Sequence, residues 1–147
     1  MRKLMPIQIE DAAKMAANGD LPNYSKAGTG KTLSTLEAFK IAGHQRGLVL
    51  CPQIALSMWE KEIETWIGAS AQVMRSSAAL RKDVDFIVTT YDLAARATMR
   101  GMLYKHFKDG ALILDEAHYL RRHTSKRTCA VFGERTDGKG GFMEKFD

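Results

Sequence analysis

Three short apolar runs punctuate the chain at nearly regular distances. Leu48-Val49-Leu50-Cys51 is apolar without alternation and is closed by Pro52, as expected for a strand buried on both faces. Asp85-Phe86-Ile87-Val88-Thr89 is aromatic and β-branched, and Ala111-Leu112-Ile113-Leu114 is apolar throughout. Gln72-Val73-Met74 fits a further short strand. Between these runs the period changes from two to 3.6. Ile9, Ala12, Ala13 and Ala16 form a helical stripe that opens at Pro6 and stops at Asn18-Gly19. Leu33, Leu36 and Phe39 mark a second helix, ended by Gly43. Leu56, Trp59, Ile63, Trp66 and Ile67 mark a third, with Glu60, Lys61, Glu62 and Glu64 turned mostly to solvent. Leu93 to Phe107 reads as helical with an interruption at Gly101, while Ser76-Ser77 and Arg81-Lys82-Asp83 read as surface connections or a short helix.

Strands that alternate with helices predict an α/β fold, a parallel sheet covered by helices on both faces. A lobe over residues 1–132 is expected, and the Gly-rich, charged segment 133–147 reads as a mobile or unfinished tail. The 147 residues are 45% hydrophobic and 27% charged, which suits one globular domain rather than a disordered chain. A net charge of +5 is compatible with a polyanionic partner without demanding one. Cys51 and Cys129 lie far apart with no C-x-x-C spacing, so neither a zinc site nor a disulfide framework is indicated. A reducing, intracellular and cytoplasmic setting is expected, the host cytoplasm if the source is a virus. No apolar run approaches the roughly 18 residues of a membrane span, so no membrane partner is expected. The start does not read as a secretory signal.

The candidate chemistry lies at two places. Ser25-Lys26-Ala27-Gly28-Thr29-Gly30-Lys31-Thr32 approaches the phosphate-loop pattern G-x-x-x-x-G-K-[ST], with Ser25 where the first glycine belongs. Leu21-Pro22-Asn23-Tyr24, poorly apolar and carrying a proline, would be the strand feeding it. In such a loop, backbone N–H groups close around phosphate oxygens at a helix N-terminus. Lys31 would reach the β- and γ-phosphates, and the Thr32 hydroxyl would ligate Mg²⁺. The second place is Asp115-Glu116-Ala117-His118, directly after the Ala111–Leu114 run. Ligands of a doubly wound sheet bind beyond the carboxyl ends of its strands. Asp115 would therefore hold Mg²⁺ and Glu116 would orient or deprotonate the attacking water. Asp115 and Glu116 alone would fit a solvated strand end, and His118 alone a structural histidine. Their combination with the upstream glycine loop points to nucleotide binding.

These residues resemble motifs I and II of superfamily 2 helicases and translocases. Leu48 to Pro52, with Trp59-Glu60-Lys61-Glu62 and Trp66, resembles motif Ia of the Swi/Snf-like branch. Ile87-Val88-Thr89-Thr90-Tyr91 resembles motif Ib, and Leu114 to Leu120 with Ser125-Lys126-Arg127-Thr128 resembles the DEAH-type motif II and its following segment. The likeness runs from about Pro6 to Phe132. It implies the N-terminal RecA-like P-loop lobe of a motor that hydrolyses Mg·ATP to move on nucleic acid, DNA rather than RNA. It further implies adenine recognition by Gln8 and triphosphate binding by Ala27, Gly28, Thr29, Gly30, Lys31 and Thr32. His118 would couple nucleotide state to nucleic-acid engagement. Cys51, Pro52, Gln53, Thr89 and Thr90 would line the nucleic-acid surface, touching backbone rather than bases.

Plainer roles stand beside these. Gln8 fits a polar helix residue, Thr89 and Thr90 strand formers, Cys51 a small core residue, and Trp59 and Trp66 core anchors. Arg121, Arg122, Lys126 and Arg127 fit a nucleic-acid patch or a solvated basic face. The family works with two RecA-like lobes, and this chain reaches Asp147 before any third motif. A second lobe is therefore expected in cis or in trans, with a fragment of a larger translocase favoured over a two-chain motor. The alternative is a non-catalytic nucleotide- or nucleic-acid-binding module derived from such a lobe.

Overall fold

A computed structural model describes residues 3–19, 30–77, 80–81, 83–107, 110–133 and 140–145. The element order is α1 (Pro6–Asn18), α2 (Lys31–Ile41), β1 (Gly47–Cys51), α3 (Leu56–Glu62), β2 (Ala71–Met74), β3 (Phe86–Thr90), α4 (Tyr91–Ala94), α5 (Ala97–Phe107), β4 (Ala111–Leu114), α6 (Lys126–Phe132) and α7 (Phe142–Lys145). The described strands form one parallel sheet in the order β2-β3-β1-β4. Gly47 stands opposite Phe86 on one side and Ala111 on the other. All four strands therefore end at the same edge, where Cys51 pairs with Thr90 and Leu50 with Leu114.

The period of two along β1 sorts its residues between two cores. Leu48 and Leu50 join a cluster with Ile87, Met99, Leu103 and Phe107, beneath α4, α5, α6 and α7. Val49 and Cys51 join the opposite cluster, with Leu36, Phe39, Trp59 and Phe86, beneath α2 and α3. The unbroken apolar run of β1 is thus the signature of a central strand covered on both sides. Phe86 sits close under the ladder: a Cβ at Gly47 would come within 2.8 Å of its ring. At the far edge, Ser70 donates through its backbone N–H and its hydroxyl to the Asp85 carboxylate, tying the start of β2 to β3.

Several expected elements are reshaped. The inward face of α1 carries Gln8 and Ala12, with Met15 and Ala16 half-buried, while Ile9 is 55% exposed and Ala13 lies in solvent. Gln8 can be buried because both ends of its amide are satisfied. Its Oε1 accepts from Met5 N at 2.7 Å, and its Nε2 donates to Gly30 O at 3.3 Å. The third helix opens with a 3₁₀ turn at Gln53–Ala55 and closes with a π turn at Ile63–Ile67. The break before α5 falls at Ala95-Arg96, not at Gly101. Thr90 caps α4 by accepting from Leu93 N, and α5 starts afresh at Ala97. Gly101 sits within α5, where burial of Met99, Leu103 and Phe107 outweighs the ~1 kcal/mol cost of a mid-helix glycine.

Residues 75–77 are bent rather than helical. Among the described residues after Phe132, α7 packs on α6, and Phe142 is fully buried in the cluster beneath α5. The strand expected at Leu21–Tyr24 lies outside the described residues. Among the described residues no helix is long and apolar enough to cross a membrane.

Candidate functional site

The carboxyl edge of the sheet gathers most of the residues marked by the sequence. Gly30 takes a left-handed φ of 75° and caps α2, which places Lys31 and Thr32 in its first turn. A side chain at Gly30 is excluded twice over, since a Cβ there would lie 2.2 Å from Gln8 Nε2. Gln8 is therefore seated directly against the end of the loop. Lys31 is exposed, and the Thr32 hydroxyl lies 3.7 Å from Met58 Sδ. Ala27, Gly28 and Thr29 lie outside the described residues.

Asp115 follows β4 at the same edge, half-buried. Its N–H donates to Leu50 O at 2.9 Å, carrying the ladder one residue past the strand. Its carbonyl accepts from the Tyr91 hydroxyl at 2.7 Å. Its carboxylate Oδ2 accepts from Trp59 Nε1 at 2.8 Å. Burial, then the Asp115 charge, raises the Tyr91 hydroxyl well above its ordinary range, which keeps it a donor. Glu116 then turns left-handed, with φ 54° and ψ 47°, the only such non-glycine among the described residues. Its carboxylate meets His118 Nδ1 at 2.9 Å, both side chains about half exposed.

An aromatic stack continues from there. His118 lies on Tyr119 with centroids 4.7 Å apart, and Tyr119 lies over Tyr91 at 6.5 Å. The Arg127 guanidinium covers the Tyr119 ring at 5.7 Å and grips Asp92 through two N–H groups. Arg127 is thus occupied within the chain, whereas Arg121, Arg122 and Lys126 stand exposed.

The residues expected on the nucleic-acid surface divide. Gln53 is exposed and Pro52 half-buried. The side chains of Cys51 and Thr89, however, point into the core at 0% exposure, and the Thr89 hydroxyl donates to Met74 O. Thr90 is half-buried and engaged as the α4 cap. The strand alternation that fills the two cores takes the Cys51 and Thr89 side chains away from solvent, in keeping with their plainer roles as core and strand residues.

Burial, then the Asp115 charge, also pushes the Cys51 thiol up to about 12 from 9.0. Its thiolate population at pH 8 is therefore about a thousandfold below that of an ordinary thiol. Iodoacetamide at pH 8 is expected to label half-buried Cys129 and spare Cys51 in the folded chain. Mass mapping of the labelled peptides checks this, and prompt labelling of Cys51 would contradict it.

Trp59 is the participant that sequence reasoning missed. It was expected as a core anchor, and it is one, but its indole N–H also finds the Asp115 carboxylate. The available signal was general: a buried tryptophan N–H needs an acceptor. Met58 and Trp59, consecutive on α3, thus contact Thr32 and Asp115 respectively. These two donors, a hydroxyl and a carboxylate, suit a hard cation that keeps waters and borrows phosphate oxygens. Among the described residues no three His, Cys, Asp or Glu side chains gather to enclose a metal on their own.

A family model described as the SNF2-related domain matches residues 25–133. Transcription termination factor 2 of Drosophila melanogaster is 32% identical over 92 residues, which cover 57% of this chain and 9% of that protein. The ATP-dependent helicase fft1 of Schizosaccharomyces pombe is 31% identical over 114 residues, 68% of this chain and 12% of that protein. Among solved structures, the Sulfolobus solfataricus SWI2/SNF2 ATPase core in complex with dsDNA superposes with a TM-score of 0.72 at 25% identity. That likeness spans 86% of this chain and 28% of the other. The chain therefore spans about a tenth of the length of these curated relatives and about a quarter of the solved core.

Proposed function

Because this chain belongs to the SNF2-related domain family, we propose that it is the ATP-binding lobe of a nucleic-acid-dependent ATPase of the helicase and translocase type. The observation that carries this reading is the meeting of Thr32 and Asp115 on Met58 and Trp59, two consecutive residues of one helix. Through these neighbouring residues, α3 contacts both the first turn after the glycine loop and the acid after β4, which supports a shared role for the two. Gln8, seated against Gly30, would meet the base of a nucleotide held by the loop, a reading that its contact with Gly30 supports.

In this reading Lys31 neutralises the β- and γ-phosphates. Thr32 and Asp115 would hold Mg²⁺, which supplies charge neutralisation at the phosphate oxygens. Glu116 orients a water and takes its proton, and His118, bonded to Glu116, links that carboxylate to the nucleic-acid side. Gln53 and exposed Arg121, Arg122 and Lys126 meet the phosphate backbone, giving salt-dependent binding with little sequence preference. The solved relative bound to dsDNA supports double-stranded DNA as the partner. A second RecA-like lobe, in cis or in trans, completes the catalytic cleft. The free cysteines fit a reducing intracellular setting.

Lys31→Ala tests the loop. Charge-assisted hydrogen bonds contribute about 1.5–3 kcal/mol, so Mg·ATP affinity is expected to fall by about 10- to 100-fold. Titration with a fluorescent ATP analogue measures it, and an unchanged affinity would sink the assignment.

A further inference from the structure

We propose that Trp59 is a positioning residue for the cation-binding carboxylate of Asp115, an inference that rests on the functional reading above. The main chain of Asp115 is held on both sides, its N–H by Leu50 O and its carbonyl by the Tyr91 hydroxyl. What remains free is the side chain. Its Oδ2 is taken by Trp59 Nε1 at 2.8 Å, which turns Oδ1 into the oxygen for a cation.

The indole is well suited to that task. Trp59 is 2% exposed and packs in the cluster with Leu36, Val49, Leu56, Ile63 and Phe86, so its ring orientation is set by the core rather than by a surface loop. A buried indole N–H needs an acceptor, so the bond fixes both partners. The donor is also neutral. A lysine or arginine there would cancel the carboxylate charge that attracts the cation, whereas the indole orients the carboxylate and leaves its charge in place. Trp66 supplies a comparison within the same chain. Its Nε1 donates to Glu37 at 2.9 Å, at a carboxylate on α2 rather than at the strand ends.

The test separates the metal from the nucleotide. Trp59→Phe keeps the aromatic volume and removes the N–H. Binding of a fluorescent ATP analogue is measured in EDTA and again over a Mg²⁺ titration. Groups that orient a metal ligand are worth about 10- to 100-fold in metal affinity. Trp59→Phe is therefore expected to raise the Mg²⁺ half-point at least about tenfold while EDTA affinity stays within about twofold of the parent. Equal weakening with and without Mg²⁺ would mean lost packing alone, and would overturn the proposal.

Asp115→Asn is run alongside. If it raises the Mg²⁺ half-point and Trp59→Phe does not, the positioning role falls and the functional reading stands. If Asp115→Asn leaves the half-point unmoved, Asp115 is not the metal ligand and both fall. Should Trp59→Phe fail to fold, Trp66→Phe leaves Trp59 as the sole tryptophan, since the chain has two. Adding Mg²⁺ to the ATP complex of that variant is expected to shift Trp59 emission, and no Mg²⁺-dependent change would overturn the proposal.

Discussion

Glu116→Gln is expected to lower nucleic-acid-stimulated ATP hydrolysis by about 10²- to 10⁴-fold, the usual contribution of a positioned general base. Mg·ATP binding should change little, because Glu116 is not among the residues assigned to phosphate or metal. The substitution is also mild in structure. The amide oxygen can still accept from His118 Nδ1, which now stands 2.9 Å from the carboxylate. The exposed position adds no buried charge to satisfy. Phosphate release in the presence of DNA and of the proposed second lobe is the measurement, paired with an ATP-binding titration. Turnover within tenfold of the parent would remove Glu116 as the base and shift attention to water orientation by other groups.

Phe142→Ala is expected to cost about 3–5 kcal/mol of folding stability, the range for truncating a buried phenylalanine. Phe142 is fully buried and meets Tyr104 edge-on, with ring centroids 4.7 Å apart. The approach is close on the backbone side too. A Cβ at Gly141 would come within 2.4 Å of Val131 O, so only glycine lets the chain pass so near α6. The Tyr104 hydroxyl donates to Gly140 O at 3.3 Å, and the Glu144 carboxylate accepts from Gly140 N. Urea unfolding followed by circular dichroism gives the cost. A loose tail would instead show a change within about 0.5 kcal/mol, as for most surface substitutions.

The central strands were legible because each packs both faces, so its apolar run needs no partner elsewhere in the sequence to be recognised. Leu48 to Cys51 and Ala111 to Leu114 became β1 and β4 almost residue for residue. The strand-end acid was legible for the same reason, being the first polar residue after such a run. Other features depend on contacts between distant segments. Gln8 looks like a solvent-facing residue in sequence, and its burial is made possible by Gly30, 22 positions later. Trp59 and Asp115 are 56 positions apart, and only the packing of α3 on the sheet brings them together. Phe142 sits among glycines and charges, so local composition hides its partner Tyr104. Cys51 and Thr89 stand at positions that family likeness links to the nucleic-acid surface, while strand alternation takes their side chains into the core.

The left-handed backbone of Glu116 carries a consequence for how this chain tolerates change. A non-glycine residue in that conformation forgoes about 1–2 kcal/mol. Glycine would recover it and fold more readily. A selection or design procedure rewarding thermal stability alone would therefore favour glycine at this position, and so would erase the proposed base while improving the scaffold. Glutamate at position 116 marks where foldability and chemistry pull in opposite directions.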